Sequence, residues 1–563
     1  MKIVRSSLFA FAVGLTFLAH AQKSEAENGV LTGTNVSSSR SGYSGSGYVE
    51  GFDEAGDAVT MEVDVSSAGL YEVWVGYSTP NGEKTNDIYV NDEFVGSQYF
   101  PETNSFTEGL FGKVSLNKGV NTIKVQYNWG WFEVDYVRVE PASRNATDNY
   151  PEELNNPNAT YEADIVYRYI RDLYGHRILS GQQADAGGSE ELNYLQAQTG
   201  KLPALKGFDL IDYSPSRVER GTTSQETERS VEWWEEGGIV SMLWHWNAPK
   251  DLIDEDGAEW WNGFYTYATT FDPSIAMEDN QSEEYELIIR DIDAIADELK
   301  QIQSGNTPLL WRPLHEAEGG WFWWGAYGSE TCVWLWKLMY DRLTVHHGLN
   351  NLIWVWTGTD NEEAMDWYPG DDYVDIVGAD IYLDDGNYTA SFPMFDNMAG
   401  IHEGGKILTL SETGTIPDPD ALESEKAGWS WFCTWSGDFI LGGDQNELDH
   451  INKVYNHNYV ITLDELPNFY NYVSPEFEDD PLSSPIITSS DVKIYPNPTR
   501  GIVYIEGSKI EKVIVYDYQG KILMSFQESI PEKLNFTNYP QGIYLVRVIS
   551  EGKTDVFRIN RFN

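Results

Sequence analysis

The sequence predicts a parallel (β/α)8 barrel set between two smaller antiparallel β-sandwiches, the first of jelly-roll type. Three observations predict it. Eight short apolar stretches between residues 177 and 437 alternate with helical patterns. On either side of that region apolar residues recur at every second position instead. Polar, proline-containing stretches (NATDNYPEELNNPN and SPEFEDDPLSSPIITSSD) separate the three regimes and read as linkers.

In chain order, residues 1–21 read as a secretory leader: Lys2 and Arg5 at the basic end, an apolar run over 8–18, then Ala19-His20-Ala21 as the cleavage site. That run is too short to span a bilayer, which takes about 20 apolar residues, and no later stretch is long enough. Residues 22–141 form the first sandwich. Met61, Val63 and Val65, then Tyr71, Val73 and Val75, place apolar groups on one face, with Gly69, Asn91-Asp92 and Asn117-Lys118-Gly119 as turns. A linker over 142–158 leads to the barrel over 159–473. Its strands are read at 177–183, 202–212, 239–246, 308–316, 352–358, 375–383, 407–414 and 429–437. The clearest helix puts Ile288, Ile292, Ile295 and Leu299 on one face. After a second linker over 474–490, residues 491–563 alternate again, with Val513, Val515 and the run Ile543-Tyr544-Leu545-Val546.

Composition narrows the function. Lys and Arg total 37 against 89 Asp and Glu, a net charge of −52. Nucleic acid and anionic lipid both require clustered cations, so neither is a partner. Twenty-one tryptophans exceed what packing asks for and suggest a ligand that stacks on indoles. The two cysteines, Cys332 and Cys433, make neither a disulfide scaffold nor a thiolate zinc site, and whether they pair is open.

In such barrels the chemistry sits where strands finish. The third stretch ends Trp244-His245-Trp246-Asn247, the fourth Arg312-Pro313-Leu314-His315-Glu316, the sixth Asp380-Ile381-Tyr382, the seventh Ser411-Glu412-Thr413 and the eighth Thr434-Trp435. A carboxylate closing an apolar strand is costly unless used. One such glutamate reads equally well as a structural ion pair, for example with Arg312. Two of them, with histidines and indoles at the same face, point to glycosidic bond cleavage, where one carboxyl donates a proton and the other attacks the anomeric carbon. Glu316 and Glu412 are that pair. Tyr382 is placed to hydrogen-bond the nucleophile and His315 to orient its surroundings. In Gly319-Gly320-Trp321-Phe322-Trp323-Trp324-Gly325 three indoles cannot all turn inward, and Trp321 is the expected sugar platform.

The run from Arg312 to Gly325, with Asn351-Leu352-Ile353-Trp354-Val355-Trp356 and Ser411-Glu412-Thr413-Gly414, resembles the signature of glycoside hydrolase family 26 over residues 160–470. The resemblance implies a retaining endo-β-1,4-mannanase that needs no cofactor for catalysis, with Glu316 as acid/base and Glu412 as nucleophile. It places His245, His315, Trp321 and Tyr382 at substrate-site positions and makes Trp435 the strand-eight platform, in competition with Trp429 and Trp431. This chain has Ala317-Glu318 after the acid, where other members carry Met-Asn. Mixed-linkage glucan or xylan as substrate is the nearest alternative, and a non-catalytic glycan-binding surface protein is the alternative of another class.

Glu25-Ala26-Glu27-Asn28, Gly45-Ser46-Gly47-Tyr48-Val49 and Val134-Asp135-Tyr136-Val137 resemble carbohydrate-binding module family 35 over residues 23–140. That resemblance implies a structural Ca2+ on Glu25, Glu27 and Asp135. Trp129 and Trp131, in the loop before the last strand, are candidate sugar contacts. The tail, with Ile494-Tyr495-Pro496-Asn497-Pro498-Thr499, Tyr518-Gln519-Gly520-Lys521 and Gly542-Ile543-Tyr544, resembles the sorting domain of the type IX secretion system. It implies a Bacteroidetes-type source, export through periplasm and outer membrane to the medium or cell surface, and removal of the tail. The expected partners are β-mannan and the secretion machinery, and a monomer is expected.

Overall fold

The computed structural model describes residues 22–184, 188–359, 362–474, 493–495, 499–507, 509–516, 521–527, 530–550 and 553–561. The leader, most of the second linker, Pro496-Asn497-Pro498 and Tyr518-Gln519-Gly520 lie outside the described residues. The chain divides into two compact units, Met1–Asn145 with Ser391–Asn397, and the remainder.

The first unit is the expected sandwich of a six-stranded and a five-stranded sheet. The alternation read from the sequence faces inward: Met61, Val63, Val65, Val73 and Val75 are all in its core. Asn91 and Asp92 both take positive φ, 52° and 70°. That is what a two-residue hairpin turn between Lys84–Val90 and Glu93–Phe100 demands.

In the second unit eight parallel strands close into a barrel. We label them β1 (Gly181–Gln183), β2 (Leu205–Asp209), β3 (Ile239–Leu243), β4 (Leu309–Arg312), β5 (Leu352–Thr357), β6 (Ile376–Ile381), β7 (Ile407–Thr413) and β8 (Phe432–Thr434). All eight expected strands are present in order, each shorter than read. The polar ends His245-Trp246, His315-Glu316 and Trp435 fall past the last ladder pair, so they belong to loops at the C-terminal rim. The first stretch breaks in two: Ile178–Leu179 pairs with Val460–Ile461 outside the barrel. Ile288, Ile292, Ile295 and Leu299 are fully buried on the helix Glu283–Ser304, each worth about 1.5–3 kcal/mol relative to exposure. Ser282 caps that helix by accepting the Tyr285 N–H.

The stretch read as the first linker is irregular, and its second half is tied to loops of the barrel. Asn155 N–H donates to Asp375 at 2.8 Å, and the Asn155 side chain to the carbonyls of Asp371 and Val374. The C-terminal residues form a three-stranded and a four-stranded sheet over a core that includes Val503, Val513, Val515, Phe536, Val546 and Val548. Among the described residues no helix is long and apolar enough to cross a membrane. Cys332 and Cys433 are buried free thiols.

Candidate active site

β4 ends at Arg312, and the chain then turns through two non-glycine residues in the left-handed region, Leu314 (φ 49°) and Glu316 (φ 52°). Such residues cost on the order of 1–2 kcal/mol each and are retained where geometry requires them. Here the turn carries Glu316 over the barrel mouth. β7 delivers Glu412 differently. Ala379 of β6 pairs with Leu410, but Asp380 pairs with Glu412, so Ser411 is an extra residue in β7. This bulge brings the Glu412 and Asp380 carboxylates side by side. The Ser411 hydroxyl donates to Asp380 at 2.7 Å and so holds the neighbour.

Oxygens of Glu316, Asp380 and Glu412 all lie within 4.8 Å of one another. One cation faces them. Arg312, buried in the barrel, donates to Asp380 at 2.7 Å and to Glu412 at 2.5 Å. Burial opposes its charge, and Asp380 and Glu412 more than restore it. Three carboxyls against one guanidinium cannot all be ionised in so dry a place, so a proton is retained among them. Burial, then Asp380, pushes Glu316 up to about 7, against the pull of Arg312 and the Trp321 indole. Glu412 is pushed up to about 7 by the same two causes, against Arg312. The donors decide where the proton rests. Glu412 receives Arg312 and the Tyr382 hydroxyl, both of which favour its anion. Among the described residues Glu316 receives the Trp321 indole N–H alone, at 3.0 Å. Between the two glutamates these donors favour the proton on Glu316. Tyr382 remains a donor throughout, its hydroxyl driven far above the usual range by burial and then by Glu412.

Aromatic groups wall the site. Trp321 and Tyr382 are 45% and 44% exposed, and Trp321 is held in place from its backbone. Its carbonyl accepts the Thr266 N–H at 2.8 Å, and Trp323 N–H donates to the Phe264 carbonyl, fastening the loop after β4 to the long loop after β3. That fastening sets the Tyr265 ring against Phe322, centroids 5.3 Å apart. Trp323 and Trp324 turn away and are buried, their indoles bonded to the carbonyls of Trp246 and His315. Trp435 is half-buried with its ring 6.0 Å from that of His245, whereas Trp429 and Trp431 are fully buried. His245 and His315 lie together under this wall, ring centroids 4.7 Å apart.

The structure thus brings Glu316, Glu412, Tyr382, Trp321, His245, His315 and Trp435 to one mouth. The ion-pair reading and the catalytic reading of the glutamates turn out to be compatible, since Arg312 pairs with Glu412. Sequence reasoning missed Asp380 and Asp209. Both close apolar strands, the same signal that selected the two glutamates.

In the first unit Trp129 and Trp131 are 64% and 65% exposed. Glu25, Glu27 and Asp135 surround the loop 44–46. Ser44 N–H donates to both Asp135 oxygens, the Ser44 hydroxyl to Glu25 at 2.6 Å, and Ser46 N–H to Glu27 at 2.6 Å. Glu27 Oε2 is buried without a partner among the described residues, and burial pushes Asp135 up. An all-oxygen donor set with an orphaned oxygen suits a hard cation. Among the described residues the three acids do not share oxygens within 4.8 Å, so gathering them on one ion requires the loop to give up some of these bonds.

Comparison with known proteins supplies the family. The sequence profile of glycosyl hydrolase family 26 matches residues 155–465, that of carbohydrate binding module family 35 matches 22–142, and that of the secretion system C-terminal sorting domain matches 493–559. A mannan endo-1,4-beta-mannosidase of Thermothelomyces thermophilus is 45% identical over 442 residues, 78% of this chain and 90% of that protein. The crystal structure of a Podospora anserina GH26-CBM35 beta-(1,4)-mannanase is 44% identical, covering 80% of this chain and 99% of its own, with a TM-score of 0.57. A ruminal GH26 endo-beta-1,4-mannanase covers the same shares at 32% identity and a TM-score of 0.59. With more than half its length matched, this chain belongs to glycosyl hydrolase family 26.

Proposed function

We propose that the protein is a secreted, retaining endo-β-1,4-mannanase, held on its polymer by the N-terminal module. The observation that carries the reading is the convergence of Glu316 and Glu412, with oxygens within 4.8 Å and unequal donor sets. Retaining enzymes keep their carboxyls about 5–5.5 Å apart, and inverting ones about 6.5–9.5 Å to admit a water. Glu412 attacks the anomeric carbon while Glu316 passes its proton to the departing oxygen. Glu316, now a carboxylate, then takes a proton from the water that releases the sugar from Glu412. Tyr382 and Arg312 hold Glu412 ionised, Asp380 keeps the proton affinity of Glu316 high, and Trp321 and Trp435 offer faces to pyranose C–H groups. Catalysis in this scheme uses side chains alone.

The relatives' names support mannan as the polymer. The sorting-domain match supports export to the medium or cell surface, with residues 1–21 as leader, 491–563 as the sorting segment, and the type IX machinery as the partner that reads it. Trp129 and Trp131 are the module's sugar contacts, and Glu25, Glu27 and Asp135 would hold a Ca2+ that stiffens its strand ends. The enzyme acts as a monomer. The test compares release of reducing sugar from mannan, galactomannan, glucomannan, xylan and barley glucan by the wild type and by Glu412→Ala. Hydrolysis confined to the mannans and abolished by the substitution supports the proposal. Preference for xylan or glucan, or activity unchanged in the variant, overturns it.

A further inference from the structure

Asp209 closes β2 with both carboxylate oxygens engaged. Its Oδ1 accepts the backbone N–H of Ile211 at 2.9 Å and of His245 at 3.1 Å, and its Oδ2 lies 2.7 Å from His245 Nδ1. The other nitrogen of that ring, Nε2, is 3.3 Å from Nε2 of His315. At the far end of the chain of contacts, His315 Nδ1 is buried with no hydrogen-bond partner among the described residues.

These facts fix where the protons sit. Two facing imidazole nitrogens bond only if one of them carries a hydrogen. Asp209 only accepts, so the Nδ1 of His245 that faces it carries one. Were the Nε2 of His315 bare, its hydrogen would sit on Nδ1, a buried N–H without an acceptor, which folded proteins almost never tolerate. A bare lone pair there costs less. The hydrogen therefore lies on His315 Nε2 and points at a bare Nε2 of His245. We infer that Asp209 is a positioning residue that sets both histidine tautomers, Nδ1–H on His245 and Nε2–H on His315, and through them steadies the turn that carries Glu316. This rests on the proposed acid role of Glu316.

The surroundings agree. His315 lies between the left-handed residues Leu314 and Glu316, and its carbonyl is held by the Trp324 indole at 2.9 Å. With its ring held by His245, the residue is fixed at both ends. The charged groups acting on the pair are Asp209, Asp380 and Arg312. Burial, then Arg312, push His315 well below the usual histidine range, which keeps that ring neutral.

Asp209→Asn tests this with little change of shape. The amide oxygen can keep both backbone N–H groups, while the NH2 now faces His245 Nδ1 and donates. That reverses both rings and leaves a buried N–H on His315 Nδ1. The measurement is a two-bond 1H–15N correlation on the full chain labelled with 15N-histidine, assigned with His245→Gln and His315→Gln. At pH 7 the wild type should show Nδ1–H on His245 and Nε2–H on His315. Asp209→Asn should show both reversed, with kcat on mannan lowered about 10- to 100-fold, the range seen for carboxylates that orient metal-bound histidines, and little change in KM. A His245 imidazolium, an Nε2–H His245 in the wild type, or tautomers unmoved by Asp209→Asn would overturn the inference. The tautomers are read without substrate, so failure of the mannanase reading would leave this result standing.

Discussion

Asp380 and Glu412 stand directly across from each other on neighbouring parallel strands because Ser411 is inserted between the paired positions of β7. Without that extra residue Asp380 would pair with Ser411, and the pleat would turn Glu412 to the other face of the sheet. The bulge therefore places the proposed nucleophile and also sets a second carboxylate, and with it a negative charge, beside it.

That charge raises the proton affinity of Glu316. Asp380→Asn should move the alkaline limb of the kcat/KM profile to lower pH, by on the order of one unit. The sign follows from the cause: removing a neighbouring anion makes the acid easier to ionise, so its active protonated form is lost earlier. A pH–rate profile on a soluble mannooligosaccharide reads it. The limb belongs to the coupled carboxyl group rather than to one residue.

Trp321→Phe should move the same limb the other way. The indole N–H stabilises the ionised form of Glu316, so its loss raises the proton affinity and extends activity to higher pH. KM should rise at the same time, since the platform shrinks.

Replacing the acid should separate the two chemical steps. Glu316→Ala should lower turnover of mannan by about 10^2- to 10^4-fold. Hydrolysis of an aryl mannobioside with a good leaving group should keep its first step and show a burst of released phenol in stopped-flow absorbance, because such a group departs without a proton.

Much of this was legible in the sequence for a physical reason. A buried parallel strand must be a short apolar run, so Ile239–Leu243 and Leu352–Thr357 announce themselves, and a carboxylate at the end of such a run stands out. What stayed hidden depends on neighbours that are distant in the chain. The bulge at Ser411 is visible only against β6. That Trp435 is half-buried while Trp429 and Trp431 are fully buried depends on which side of a three-residue ladder each side chain falls. Asp209 carries the same signal as Glu412, but the role suggested for it comes from a histidine 36 residues later.

Stability should carry its own pH signature. Glu162, at the start of the helix Tyr161–Leu173, is buried, with Oε1 bonded to the Tyr470 hydroxyl and Oε2 without a partner among the described residues. Burial pushes it up from an ordinary 4.5 to about 7. The folded state thus holds a proton that the unfolded state has released between those values. Its favourable contribution is complete below pH 4.5 and is lost as the pH rises to about 7. Glu162→Gln should stabilise the barrel at pH 8 by up to about 3 kcal/mol and leave it nearly unchanged at pH 4, as read by calorimetric unfolding at the two pH values.

The central claim is that Glu412 becomes covalently bonded to the sugar. Incubating the protein with a 2-deoxy-2-fluoro-mannooligosaccharide that carries a good leaving group, then mapping the labelled peptide by mass spectrometry, tests it most directly. The account predicts a single adduct on Glu412, absent from Glu412→Ala. A label on Asp380 or Glu316, or turnover of the unmodified substrate with inversion and no adduct, would contradict it.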